Sequence, residues 1–307
     1  MQKFKTVVMA AGVLVAAALA QPAKAASPFV GRWNFNLTMP GATRAAWLGI
    51  SEQDGKLVIW FQPTGGNVYE VKDFKTEGTH LTINLGNMQT WQLDAAGDKL
   101  TGFQKRGTST LSLTGLRAPE LKRAAPKAWT KPEPLFNGSN LDGWEPIGSP
   151  TSSHWTVQDG LLVNTQHGAN LKTTRTFDDL KVHYEVNCPD HGNSGFYLRG
   201  RYEVQIEYEP LTDNPPERRI GSIYGRLTPN PELPRTPGQW ETFDVTLVGR
   251  NVTVVRNGVT IIDNKEIEGI TGGALDANED QPGPFYIQGD HTGGLKFHNI
   301  TVSVPER

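Results

Sequence analysis

The chain has 307 residues, with 30 Lys+Arg against 32 Asp+Glu and a formal charge of −2, and no basic block, which excludes a nucleic-acid-binding surface. A single cysteine, Cys188, excludes an internal disulfide, so the fold must rest on a core that a chain of this size can supply. With 33 Gly, 21 Pro and no stretch of sustained apolar i, i+3, i+4, i+7 spacing, the composition points to an all-β protein rich in turns.

The first element is a leader. Lys3 and Lys5 precede an apolar run from Val7 to Ala20, and Ala23-Lys24-Ala25 follows as a small-residue cleavage site. This predicts a signal peptide over 1–25, with Ala18-Leu19-Ala20 as an alternative site, and an exported protein, periplasmic or secreted. Removing three lysines and no acid moves the formal charge to about −5. No cysteine lies at the cleavage region, and no other apolar run approaches the roughly 20 residues that span a bilayer, so no membrane anchor is expected.

From about 27 to 117 short alternating segments follow: RWNFNL, KLVIWF, HLTINL, TWQLDAAGDKLTGFQKR and TLSLTGL. Turn signals at Asp54-Gly55, Gly65-Gly66-Asn67, Gly86-Asn87 and Ala96-Gly97-Asp98 separate them. They predict a small antiparallel meander or barrel of seven or eight strands. No catalytic constellation appears in it. Trp33, Trp47, Trp60 and Trp91 suit either core packing or stacking on sugars. Residues 118–134 hold four prolines and several charges without periodicity, and read as a semi-rigid linker.

The block from 135 to 307 is again all-β. DDLKVHYEVNC alternates with Leu180, Val182, Tyr184 and Val186 inward, which leaves Cys188 at a strand end as a buried bystander thiol. Gly249-Arg250-Asn251 and Asn257-Gly258 divide residues 240–264 into three strands. Ten to fourteen strands without intervening helices predict two packed antiparallel sheets, a jelly-roll sandwich. Trp144 and Trp155 read as packing, and Asp142, Asp159 and Asp179 as turn or cap residues. His154, His167, His183, His191 and His298 have no zinc-ligand spacing.

The stretch GNSGFYLRGRYEVQIEYE, 192–209, is the most informative. A two-residue loop would set Leu198 opposite Glu203, apolar against charged. A three-residue loop, Arg199-Gly200-Arg201, pairs Leu198 with Tyr202 and Tyr197 with Glu203. Phe196, Leu198, Tyr202, Val204 and Ile206 then share the core face, and Tyr197, Glu203, Gln205 and Glu207 the other. Gly200 is the residue expected to take a positive φ. The polar face is either solvated or the floor of a groove.

LFNGSNLDGW, HWTVQDGLL, LKTTRTFDDLKVHYEV, GNSGFYLRGRYEVQI, GSIYGRL, GQWETFDVTLVGRNVTVVRNG and GPFYIQGDHTGGLKFHNI, in this order, resemble the 3-keto-disaccharide hydrolase domain family over about 135–304. The resemblance implies a concanavalin A-like lectin/glucanase jelly roll and action on glycosides oxidised at C3. A ketone at C3 acidifies the C2–H, so a base can remove that proton and the C1 substituent can leave by β-elimination, followed by hydration. Such a site needs a base, a group for the developing oxyanion and an acid for the leaving oxygen. Glu203 suits the base, Arg199 an oxyanion or hydroxyl clamp, and His291 in QGDHTGG the acid/base partner. Asn193, Tyr197, Gln205, Tyr224, Gln288 and Asp290 are expected to bind the carbohydrate. Glu203, Glu207 and Asp290 could hold calcium or another divalent cation, although no ligand string supports a metal, and the cofactor stays open. A non-catalytic lectin-like module is the alternative, and the first block could dock a protein partner.

Overall fold

The computed structural model describes residues 27–39 and 42–306; the expected signal peptide lies outside the described residues. The described chain is all-β. No helix in it is long and apolar enough to cross a membrane.

The first nine strands are β1 (Gly31–Met39), β2 (Ala42–Gln53), β3 (Lys56–Gln62), β4 (Tyr69–Val71), β5 (Phe74–Glu77), β6 (His80–Asn84), β7 (Gln89–Ala96), β8 (Lys99–Arg106) and β9 (Ser109–Arg117). They form one antiparallel sheet in the order β4-β3-β2-β1-β9-β8-β7-β6-β5. Only two residues separate the edge strands β4 and β5, so the sheet curls into a near-barrel. Its interior is filled by Trp33, Phe35, Leu48, Ile59, Phe61, Leu93 and Trp91, whose ring sits edge-on to Phe35 and Phe61 at 4.9 and 5.0 Å.

The sequence pattern passes over β2. Its inward residues Ala46, Leu48 and Ile50 alternate with Ala45, Trp47 and Gly49 on the outer face, and the outer face is covered too. A strand apolar on both faces shows no period of two. The cover is the second half of the chain. Ala45 and Trp47 pack on Ile270, Ala274 and Ala277, a small apolar cluster at the seam. Beside it Asn34 donates to Glu279 and to the Ala277 carbonyl, and Asn36 pairs with Asn278.

The second half contains β10 (Glu133–Pro134), β11 (Trp144–Pro146), β12 (Trp155–Gln158), β13 (Leu161–Asn164), β14 (Leu171–Thr173), β15 (Leu180–Asn187), β16 (Asn193–Leu198), β17 (Tyr202–Glu207), β18 (Trp240–Val248), β19 (Asn251–Arg256), β20 (Val259–Glu266), β21 (Tyr286–Ile287) and β22 (Lys296–Ser303). One sheet runs β12-β13-β22-β15-β18-β19-β20, with β10 on β22; the other runs β11-β14-β21-β16-β17. They face each other across one core as a jelly-roll β-sandwich. Tyr184 of the larger sheet stacks on its neighbour Phe243 at 5.1 Å and on Phe196 of the smaller sheet at 4.3 Å.

The segment expected to be a linker is only partly one. Thr130 and Glu306 exchange backbone bonds with Val304 and Ala128, and Glu133 pairs with Val302, so the end of this stretch is stitched to β22. Proline blocks helix and interior strand but not edge pairing, so its composition conceals these bonds. Trp144 and Trp155 are core residues whose indole N–H groups donate to Leu135 and Ala169 carbonyls. Cys188 is buried, and burial raises its thiol well above the ordinary range, which keeps it inert.

Candidate active site on the five-stranded sheet

The β16–β17 hairpin has the register that its apolar pattern demands. Leu198 opposes Tyr202, Tyr197 opposes Glu203, and Phe196 opposes Val204. Gly200 takes φ +68, and Arg199 before it also turns left-handed at φ +52. Phe196, Leu198, Tyr202, Val204 and Ile206 all enter the sandwich core.

The other face of this hairpin is not solvated. Glu203 is 2% exposed, Gln205 3% and Glu207 0%. The backbone of 221–224 pairs along β17, through Gln205 with Ser222 and Gly221 and through Tyr224 N–H to the Glu203 carbonyl. A loop from Thr271 to Gly273 lies over Tyr197 and Tyr286. Thr271 Oγ1 accepts the Glu203 N–H at 3.1 Å, and the Gly273 carbonyl accepts from Tyr286 Oη at 2.6 Å. A side chain at Gly273 would meet the Tyr197 and Tyr286 hydroxyls, so the close approach requires glycine.

Glu203 is the centre of this cluster. Its carboxyl occupies the space where a side chain at 195 would be, and only glycine leaves that room. Tyr197 Oη lies 2.6 Å from Glu203 Oε2 and 2.5 Å from the Gly272 carbonyl, and accepts from Gln288 Nε2 at 3.1 Å. Tyr197 in turn stacks on Tyr286 at 3.8 Å. Burial pushes the Glu203 carboxyl up to about 8, against the pull of the Tyr197 hydrogen bond; the Asp290 charge adds to the rise.

Asp290, whose charge reaches Glu203, is paired with His291 at 2.9 Å. The Asp290 hydrogen bond raises the His291 imidazole above its ordinary value, and burial works against the rise. Burial works to raise the Asp290 carboxyl, but the His291 contacts and Asn170 Nδ2 outweigh it and hold Asp290 below the usual carboxylate range. Asn170 Oδ1 fixes the same turn by accepting from the N–H groups of Gly289 and Asp290.

The sequence-predicted residues divide accordingly. The structure brings together Glu203, Tyr197 and Gln288, with the Asp290 charge close enough to act on Glu203 and His291 joined to them through Asp290, and Gln205 and Asn193 lie along the same face. Asn193 donates to Glu209 at 2.8 Å, and Gln205 Oε1 is buried without a partner among the described residues. Tyr224 flanks Glu203; burial raises its phenol, the Glu203 charge adds to that, and Arg218 opposes it. Arg199 is a correction. It is fully buried in the hairpin loop, pairs with Asp178 at 3.0 Å and donates to the Gly249 carbonyl at 2.7 Å. That loop fastens the sandwich to itself, and its guanidinium is not in the Glu203 cluster. The cation-site expectation fits no better. Glu207 already accepts from Arg235, Ile220 N–H and Glu209 N–H, and among the described residues no three His, Cys, Asp or Glu side chains converge.

Sequence reasoning missed Tyr286, Asn170, Thr271 and the two glycines 272 and 273. Tyr286 had a signal, since it alternates with Phe285 and Ile287 in GPFYIQ. The others lie in loops, where no periodicity points to a face.

A search of the curated proteins finds no match. Among solved structures, a candidate glycosyl hydrolase from Parabacteroides distasonis ATCC 8503 is 26% identical, covering 59% of this chain and 92% of that one with a TM-score of 0.48. The carbohydrate-binding module CBM66 from Bacillus subtilis is 10% identical, covering 52% and 94% with a TM-score of 0.34. A protein of unknown function with a galectin-like fold, also from Bacillus subtilis, is 14% identical, covering 59% and 99% with a TM-score of 0.35. The 3-keto-alpha-glucoside-1,2-lyase-like domain model matches residues 131–303. That span is more than half of the chain, runs from just before β10 to the end of β22, and contains Glu203, Tyr197, Gln288 and the Asp290–His291 pair; the chain therefore belongs to the 3-keto-alpha-glucoside-1,2-lyase-like domain family.

Proposed function

We propose that the protein is an exported glycoside-active enzyme that cleaves 3-keto-glycosides by removing the C2 proton, eliminating the C1 substituent and hydrating the product. The observation that carries this reading is the Glu203 carboxyl, buried on a polar sheet face and lifted to about 8 beside an aspartate–histidine pair. A lectin needs only groups that bind hydroxyls, whereas a general base is favoured by a buried carboxyl of raised proton affinity.

In this reading Glu203 takes the C2 proton. Its high proton affinity makes it a strong base once ionised, at the cost that only a minority is ionised at neutral pH. His291, held protonated by Asp290, donates to the leaving oxygen. Gln288, whose amide gives one N–H to Tyr197, has a second to donate to the ketone as charge develops on it. Gln205 and Asn193 bind hydroxyls. The three kinds of group the elimination requires are then supplied without Arg199.

The test is direct. The mature protein is incubated with 3-keto-trehalose, 3-keto-lactose and a 3-keto aryl glucoside beside the unoxidised sugars, and free sugar is followed. Cleavage of the keto compounds alone is expected, with kcat/KM rising on the acid side as ionised Glu203 accumulates and falling on the alkaline side as His291 loses the proton it donates. Glu203→Gln should fold and still bind, with turnover lower by about 10²-fold or more. Cleavage undiminished in that variant removes Glu203 from the mechanism, and no cleavage of any keto compound removes the reading.

A further inference from the structure

The seam between barrel and sandwich holds a cavity of about 580 Å³, apart from the Glu203 cluster. The β2–β3 register sets Trp60 opposite Gly49 on the outer face of the barrel, the face that also carries Trp47. The Trp47 ring lies over Gly49, in the space a side chain there would fill. Two indoles therefore stand side by side. Trp47 is 2% exposed and belongs to the seam, whereas Trp60 is 41% exposed.

The facing wall comes from the sandwich, with Gly225, Arg226 and Glu268. The Arg226 guanidinium lies on the Trp47 ring at 4.2 Å, and its Nε and Nη2 both donate to the Ile270 carbonyl, at 3.2 and 2.7 Å. Its Nη1 is buried and has no partner, and the same is true of Trp47 Nε1–H. What the cavity wall exposes is the Trp60 indole and the carboxylate of Glu268, with the Arg226–Trp47 stack behind them. A flat indole stacks on the C–H face of a pyranose. The carboxylate of exposed Glu268 accepts from its hydroxyls.

We propose that this seam is a second carbohydrate-binding subsite, which takes a pyranose unit of a neutral glycan on Trp60. It lies beyond the β17 edge of the smaller sheet, since Arg226 follows Tyr224, whose N–H is bonded to the Glu203 carbonyl. It does not depend on the chemistry assigned to Glu203.

Isothermal titration of the mature chain carrying Glu203→Gln, with lactose, trehalose and cellotetraose as probes, tests this. At least one probe should bind, adding Trp60→Ala should weaken it by about tenfold or more, and Trp60→Phe should retain most of the affinity. Trp60 is exposed, so its removal leaves the fold intact; a matched thermal melt verifies this. Failure of every probe to bind, or equal affinity with Trp60→Ala, overturns the subsite. Turnover of 3-keto substrates by the wild type is scored separately. Trp60-dependent binding without turnover retains the subsite and sinks the hydrolase reading, and turnover without such binding does the reverse.

Discussion

The Tyr197 hydroxyl has one proton and two acceptors within reach, Glu203 Oε2 and the Gly272 carbonyl. It can serve both only if Glu203 carries a proton of its own. Glu203 then donates to Tyr197, Tyr197 donates to Gly272, and Gln288 donates to Tyr197, so the one hydrogen and both lone pairs of the Tyr197 hydroxyl are used. Ionising Glu203 leaves two acceptors competing for one hydrogen in a buried site. This hydrogen-bond argument and the elevated proton affinity near 8 agree. They carry a consequence for stability that needs no substrate. Between about 4.5 and about 8 the unfolded chain has lost the Glu203 proton while the folded chain retains it, so the folded state is progressively disfavoured as pH rises through that window. Glu203→Gln has no proton to lose. Its melting temperature relative to the wild type should therefore climb from pH 5 to pH 8, with a gain on the order of a few kcal/mol. A difference that stays constant with pH would mean that Glu203 is ionised in the folded protein throughout.

At the scale of the element, the β16–β17 hairpin was legible because its two faces differ. Five apolar residues need one side, which leaves a single loop length and places Tyr197 against Glu203. Its failures have equally physical causes. Arg199 looked like a substrate clamp because an arginine beside a polar strand usually reaches solvent; here the loop folds back, and Asp178 and Gly249 take it. β2 was invisible because both its faces are covered, and the loop 271–273 because loops have no period. Gly195, by contrast, was in plain view in GNSGFYL, and its reason appears only when the register places Glu203 over it. Gly195→Ala should therefore be a specific lesion. Alanine is acceptable to strand backbone, but its methyl would occupy the Glu203 carboxyl's place and drive that carboxyl off Tyr197. The expected result is a folded protein, with its melting temperature lowered by only a few degrees, and kcat on a 3-keto-glycoside lowered by about tenfold or more while KM changes less. Wild-type turnover in Gly195→Ala would show that the Glu203–Tyr197 contact is not needed.

At the scale of the molecule, the barrel is more than a neighbour of the sandwich. The Gly272 carbonyl faces Tyr197, and a side chain at Gly272 would run into the backbone of Gly66 in the barrel's β3–β4 connection. The loop over the Glu203 cluster is thus pressed between the tyrosines on one side and the barrel on the other. Gln62 Nε2 steadies the barrel side by donating to the Gly66 carbonyl at 2.7 Å. What fixes the barrel in place is the seam cluster around Trp47, together with Asn34 and Asn36 reaching 277–279. Trp47 belongs to neither large core, so its truncation tests the docking itself. Trp47→Ala removes a side chain that is 2% exposed, a loss on the order of 3–5 kcal/mol. Both cores are untouched by the change, so calorimetry should resolve two melting transitions where the wild type has one, and protease should cut first within residues 118–127. Turnover should fall as well, because the Gly272 loop loses its backing. A single transition, shifted but not split, would show that barrel and sandwich unfold as one body and that the Trp47 cluster is only one part of what joins them.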